Sequence, residues 1–483
     1  MLQTLLAAPL FIGAAGALGG CSRPESASAL PMASSTVTRQ PADPALAAYA
    51  SWATSRFGFG LLRTLAPTPP RENLLISPYS IIVALAMTRL GARGETATQM
   101  DAVLAGENAD SLTRDAPPST TSTTSTSSTT STPAKPAESA IPRVAPIERL
   151  GGGLNALGQQ LASYAGDVAW NGERVKIAWS EANSLWGQND TPWEQPFLDS
   201  IARYFGGGMH QVDYKGATEQ ARTAINAWTK EKTAGKIPEI LEPGSLDAMM
   251  RLVLVNAIHF KAPWASPFTK SLTTAAPFTR PDGSKVDVQM MHGEASGVRA
   301  GAGMPGFSAV RLQYASLKFA FTAVLPDEGH EEAVHRLITG NGLGDIMAGL
   351  SSSADQRPGP TTDVRPANLA MPRFSMKYGT QLNEALISLG MPSAFDASRA
   401  DLSGMTTAEQ LYIAFVVHQA TMDVDEEGTE AAAATAVGAR AVSAPVEPMT
   451  VTLDRPFYVV LHDTETDTPL FVGYVADPTA GSS

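Results

Sequence analysis

A single cysteine, Cys21, stands in a chain of 483 residues. That excludes an intramolecular disulfide and any metal centre built on several thiolates. Positive charge is also short: 35 Lys and Arg against 47 Asp and Glu leave a formal net charge of -12. Nucleic-acid phosphates call for a basic footprint, so no nucleic-acid partner is expected. The seven histidines are scattered without metal spacing. No G-x-S-x-G elbow, H-E-x-x-H pair or P-loop occurs. "GAGMPG" at 301–306 satisfies G-x-G-x-x-G, but Pro305 interrupts it and a loop before "SAVRLQY" explains it better. The acidic "DEEGTE" lacks the alternating ligands and terminal glutamate of an EF-hand. No catalytic constellation, metal site or cofactor site emerges, and the expectation is a protein that is not an enzyme.

What is present begins with an apolar leader, "MLQTLLAAPLFIGAAGALGGC", too short to span a bilayer comfortably. It reads as a signal segment over 1–21. Its end, Leu18-Gly19-Gly20-Cys21, resembles the bacterial lipobox, which makes Cys21 the candidate lipidation site. No Lys or Arg precedes the apolar run, and an ordinary secretory signal is the alternative. Residues 22–43 have the polar, Pro/Ser-rich composition of a tether. The protein is therefore expected outside the cytoplasm, as an envelope lipoprotein or secreted, with a lipid anchor as its only membrane contact.

Hydrophobic residues make up 43% of the chain, enough for a large core. The periodicity of "PALAAYASWATSRFGFGLLRTL" predicts a first helix. In "NLLISPYSIIVALAMTRLGARGETATQM", Pro78 suits a first helical turn after Ser77, the apolar run ends at Gly91, and another helix begins near Glu95. "STTSTTSTSSTTST", 119–132, cannot bury apolar surface and marks a disordered insertion over about 106–146. "RVKIAWSEANSLWGQ" alternates as a strand, and "QARTAINAWTKEKTAGKIPEIL" is a helix closed by Gly235. "RLVLVNAIHFKAPW" is too continuously apolar for an exposed strand and belongs centrally in a sheet. "LKFAFTAVLP", "ANLAMPRFSM", "LYIAFVVHQATMDVD", "PMTVTLDRPFYVVLHD" and "TPLFVGYVADP" add strands. Helices gather in the first half, which points to α+β.

Between two of those strands lies "DEEGTEAAAATAVGARAVSAP", residues 425–445, with no side chain large enough to anchor a core. If 429–436 became a strand, Thr429, Ala431, Ala433 and Thr435 would face one side and Glu430, Ala432, Ala434 and Ala436 the other. Small inward residues need no cavity, and alanine loses almost no side-chain entropy on ordering. Gly428 allows the turn where the span leaves the preceding strand. The composition and phase fit insertion into a sheet.

"NLLISPYSIIVALAMTRLGARGETATQM", "LVLVNAIHFKAPW", "VDEEGTEAAAATAV" and "RPFYVVLHDTETDTPLFVGYVADP" resemble the serpin family, in family order. The resemblance implies one domain over 44–478, with three β-sheets, about eight or nine helices and an exposed reactive-centre loop. It implies a bacterial, inhibitory member, monomeric and without cofactor, whose partner is a serine protease held in a covalent complex. Gly428, Thr429, Glu430, Ala431, Ala432, Ala433 and Ala434 form the loop hinge. Counting fifteen residues from Gly428 puts the reactive bond between Val442 and Ser443, which suits elastase-like or subtilisin-like proteases. Arg440 is the alternative bait, for trypsin-like enzymes. Ser77, Ser80, Asn256 and His418 match the family's shutter; Trp264, Glu426 and Arg373 match its breach. A non-inhibitory binding or chaperone-like member is the alternative, whose mark would be bulky, charged or proline residues in the hinge.

Overall fold

Strand Leu252–Pro263 is apolar on both faces because both are covered, and all but one of its residues are buried. It lies in the middle of an eight-stranded sheet, here called the central sheet. A computed structural model describes residues 30–106, 145–300, 304–351, 364–429 and 447–481. Across the central sheet run Met32–Ala33, Met209–Val212, Glu173–Gln188, Leu252–Pro263, Gly428–Thr429, Phe415–Val424 and Phe374–Gln381, with Gly166–Trp170 hairpinned onto Glu173–Gln188.

A second, nine-stranded system is continuous through the long strand Lys285–Arg299. Its first part pairs with Thr274–Thr279 and Arg365–Pro372, and its end with Phe307–Gln313. Two of the three sheets implied by the resemblance thus share one strand. The C-terminal hairpin, Phe457–Asp463 with Pro469–Val475, is buried throughout and completes this system against Leu74–Ile76.

Helix Pro78–Gly91 lies beneath the central sheet. Its N-cap Ser77 accepts the Ser80 N–H and Pro78 occupies the first turn. Ten α-helices occur among the described residues, against the eight or nine expected. One that sequence patterning does not reveal is Pro146–Ser163, whose Gly151-Gly152-Gly153 argues against a helix by propensity. A Cβ at Gly153 would lie 2.6 Å from the Leu46 carbonyl oxygen. Close packing against helix Pro44–Leu65 requires the glycines and overrides propensity. The expected insertion over about 106–146 lies almost wholly outside the described residues.

Within the expected tether, 22–43, residues 32–40 make contacts with the folded body. Met32–Ala33 adds an edge strand to Met209–Val212. Arg39 Nε donates to Asn155 Oδ1 at 2.8 Å and the Gln40 N–H to the Arg203 carbonyl at 2.8 Å. Polar composition hid this, because the partners are more than a hundred residues away and backbone pairing carries no side-chain signature.

Candidate functional site

The site grows from a join in the central sheet that is closed at one end only. Strands Leu252–Pro263 and Phe415–Val424 are parallel, and residues 253–257 pair with 415–419. At the other end Gly428–Thr429 lies between them, Thr429 opposite both Ala262 and Val424. Between these two zones, residues 258–261 and 420–423 pair only with their outer neighbours among the described residues. Among the described residues the central sheet therefore has a wedge at its mouth and, behind it, a stretch without pairing across the join.

Gly428 makes the wedge fit. A Cβ there would lie 2.2 Å from the Ala262 carbonyl oxygen, so only glycine can approach that strand. This corrects the expected role of Gly428, whose backbone is not left-handed. The turn is built by Asp425 instead, whose Oδ1 accepts the N–H groups of Glu427 at 2.8 Å and Gly428 at 3.1 Å. Thr429 is 3% exposed, and its hydroxyl meets the Tyr314 phenol at 2.6 Å. It points to the back of the central sheet, with Val424 and Ala262.

Around the mouth, Trp264 stacks on Tyr314 with ring centroids 4.5 Å apart. Its Nε1 donates to the Asp425 carbonyl at 2.9 Å and its backbone N–H to the Glu427 carbonyl at 2.8 Å. Glu426 is 1% exposed; Arg373 Nη2 donates to both its oxygens, at 2.7 and 2.6 Å, and the Thr273 hydroxyl donates at 2.6 Å. Burial pushes the Glu426 carboxyl up, but the bonds from Thr273 and Arg373 outweigh it and hold it below its ordinary value.

Behind the closed half, His418 lies opposite Asn256, and Asn256 opposite Asn183. His418 Nε2 accepts the Ser77 N–H at 3.1 Å, so its Nδ1 carries the proton donated to Asn256 Oδ1 at 2.5 Å. Asn256 Nδ2 donates to the Val417 carbonyl at 3.1 Å, and the Ser80 hydroxyl to Asn183 Oδ1 at 2.5 Å. Burial pushes His418 down to about 3, which keeps it neutral. One polar chain thus ties helix Pro78–Gly91 to three strands. No group of three or more His, Cys, Asp or Glu among the described residues is arranged to hold a metal.

The family model described as "Serpin (serine protease inhibitor)" matches residues 52–478. The chain belongs to the serpin family. It is 32% identical to the bovine leukocyte elastase inhibitor, over 89% of this chain and 99% of that protein. Human plasminogen activator inhibitor 2 is 29% identical over 88% of this chain and 99% of its own. Among solved structures, the thermophilic serpin tengpin in its native state matches with a TM-score of 0.68 at 27% identity, covering 92% of this chain and 97% of that one. Both curated relatives are named as protease inhibitors, not as enzymes.

In this serpin the structure brings together Gly428, Thr429, Trp264, Glu426 and Arg373 at the mouth, and Ser77, Ser80, Asn256 and His418 at the closed half. Cys21, Glu430, Ala431, Ala432, Ala433, Ala434, Arg440, Val442 and Ser443 lie outside the described residues. Sequence reading missed Tyr314, Thr273 and Asn183, which sit in ordinary strand and loop contexts. It also missed Asp425, although the Asp-x-x-Gly spacing of "DEEG" is a turn signal in its own right.

Proposed function

We propose that this serpin is a suicide-substrate inhibitor of serine proteases that traps the acyl-enzyme by inserting its cleaved loop into the central sheet. The observation that carries the reading is the join itself, with Gly428–Thr429 seated between its strands and, among the described residues, no pairing across the join beyond them. A strand entering there gains ladder hydrogen bonds on both sides. Hinge residues Thr429 to Ala434 contain no proline and no large apolar side chain, and their one charged residue, Glu430, falls on the face opposite to that of Thr429, which favours insertion over the non-inhibitory binding or chaperone-like reading.

The reactive bond in this reading lies between Val442 and Ser443, and thirteen positions separate Ser443 from Pro456 downstream. Valine suits a small apolar specificity pocket, so elastase-like or subtilisin-like proteases are the targets. A trypsin-type cut after Arg440 shortens the insertable strand and should release cleaved product. The serpin acts as a monomer outside the cytoplasm of a bacterium, anchored through Cys21 or secreted.

The test is a panel of serine proteases with mass measurement of SDS-resistant complexes and sequencing of the released C-terminal fragment. A fragment starting at Ser443 supports the assignment, and one starting at Ala441 moves the bait to Arg440. Nicking the loop within 437–443 should also raise the melting temperature. Unchanged melting and no covalent complex would leave the non-inhibitory reading.

A further inference from the structure

Alternation along strand Glu173–Gln188 sends Trp179, Glu181 and Asn183 to the back of the central sheet, with Leu185. There a cavity of about 360 Å³ lies between that strand, helix Pro78–Gly91 and helix Pro146–Ser163. Val83, Met87, Leu154 and Phe205 give it an apolar wall. Glu181 is the centre of its polar part. The Glu181 Oε1 accepts the Tyr79 hydroxyl at 3.0 Å and the Trp179 indole N–H at 3.1 Å. Its other oxygen takes no hydrogen bond among the described residues. Burial raises this carboxyl, and the two bonds and the charge of Arg39 offset that only in part.

Two donors line the same cavity with capacity to spare. Arg39 Nε donates to Asn155 Oδ1 at 2.8 Å, but its Nη2 makes no hydrogen bond or ion pair among the described residues. Asn183 Oδ1 takes the Ser80 hydroxyl, while its Nδ2 is buried without a partner among those residues. Gly158 keeps these groups apart. A Cβ there would lie 3.1 Å from both Arg39 Nη2 and the Tyr79 hydroxyl oxygen, and 3.8 Å from Glu181 Oε1. A guanidinium, a phenol and a desolvated carboxylate thus converge on one point that carries no side chain. A single charge placed there would match one of the two ionised groups and repel the other. A head that carries ammonium beside carboxylate matches both, and the volume is that of a small ligand pocket.

We infer that this cavity binds a free apolar α-amino acid, its ammonium on Glu181, its carboxylate on Arg39 and Asn183, and its side chain against Val83, Met87, Leu154 and Phe205. The site goes beyond the inhibitory reading and does not rest on it. A bound ligand joins two helices to one strand of the central sheet, and it stabilises the intact fold by mass action.

The experiment titrates the full chain with L-phenylalanine by calorimetry, beside phenethylamine, which lacks the carboxylate, and phenylpropanoate, which lacks the ammonium. No protease is present, so the outcome is separate from that of the inhibition assay. Phenylalanine should bind saturably and raise the melting temperature. Each truncated ligand should bind at least about tenfold more weakly, the worth of one charge-assisted contact. Glu181→Gln, close in size, should weaken phenylalanine by a similar factor and leave phenylpropanoate unchanged. Gly158→Ala should abolish binding, because its Cβ takes the point on which the polar groups converge. Alanine suits a helix better than glycine, so this variant keeps its fold, which its own melting curve checks. Absence of saturable binding, equal affinity for either truncated ligand, or unchanged phenylalanine affinity in either variant overturns the inference and leaves the inhibitory reading standing.

Discussion

The Thr429 hydroxyl lies 2.6 Å from the Tyr314 phenolic oxygen, and Tyr314 in turn stacks on Trp264. The first inward residue of the hinge is therefore packed into the core before any cleavage. In the proposed insertion, the residues after it would pair with 258–261 and 420–423, so Thr429 would set the register for the rest of the span.

Thr429→Arg should turn the inhibitor into a substrate. An unpaired guanidinium on the back of the central sheet costs several kcal/mol, on the order of what one buried charge loses without a partner. Insertion then slows while deacylation does not. The yield of SDS-resistant complex should fall at least about tenfold, since each 1.4 kcal/mol is about a factor of ten in rate. An equal yield would show that Thr429 does not enter facing inward.

Arg373→Ala should loosen the mouth. Glu426 is fully buried and would keep Thr273 as its only side-chain donor among the described residues. Because Arg373 is half exposed, the loss is modest, about 1 kcal/mol after solvent screening. The intact protein should melt a few degrees lower. The check is calorimetry, and an unchanged or higher melting temperature counts against a holding role for the pair.

Acid should destabilise the closed half of the join. His418 is held down to about 3 by burial, while an unfolded histidine titrates near its ordinary 6.5. Its contribution is complete above pH 6.5 and is lost progressively as pH falls toward 3, because only the unfolded chain takes up the proton. Protonation at Nε2 would also set an N–H against the Ser77 N–H. His462, likewise pushed by burial to about 3, adds a slope of the same sign. His418→Gln should therefore melt lower at about pH 7.5 yet lose less between about pH 6.5 and 4 than wild type. Parallel slopes for the two proteins would remove His418 from the account.

Cys21→Ser tests the anchor. The mature wild type should partition with membranes, and the variant should appear in the soluble extracytoplasmic fraction. The readout is an immunoblot after fractionation, and equal membrane retention of both proteins rejects lipidation at Cys21.

Local order carried far along this chain. Strong periodicity marked helix Pro44–Leu65 and the Ser77-Pro78 start of helix Pro78–Gly91, because caps and apolar spacing are written in adjacent residues. The family motifs located Trp264, Arg373, Glu426, Asn256 and His418, and the period of two in 429–436 gave Thr429 its inward face. Three kinds of information were not local. The glycines of helix Pro146–Ser163 are legible only beside Leu46 and Ala50, the edge strand Met32–Ala33 only beside Met209–Val212, and the role of Gly428 only beside the Ala262 carbonyl. Each depends on how closely two backbones approach, and backbone separation leaves no trace in either segment read alone. By itself the sequence determined the strongly apolar strands, such as Leu252–Pro263, and which small side chains the loop carries. Only the tertiary structure decided that two parallel strands close along half their length, and that Thr429 occupies the mouth of the remainder, because pairing across a sheet depends on distant segments meeting in register.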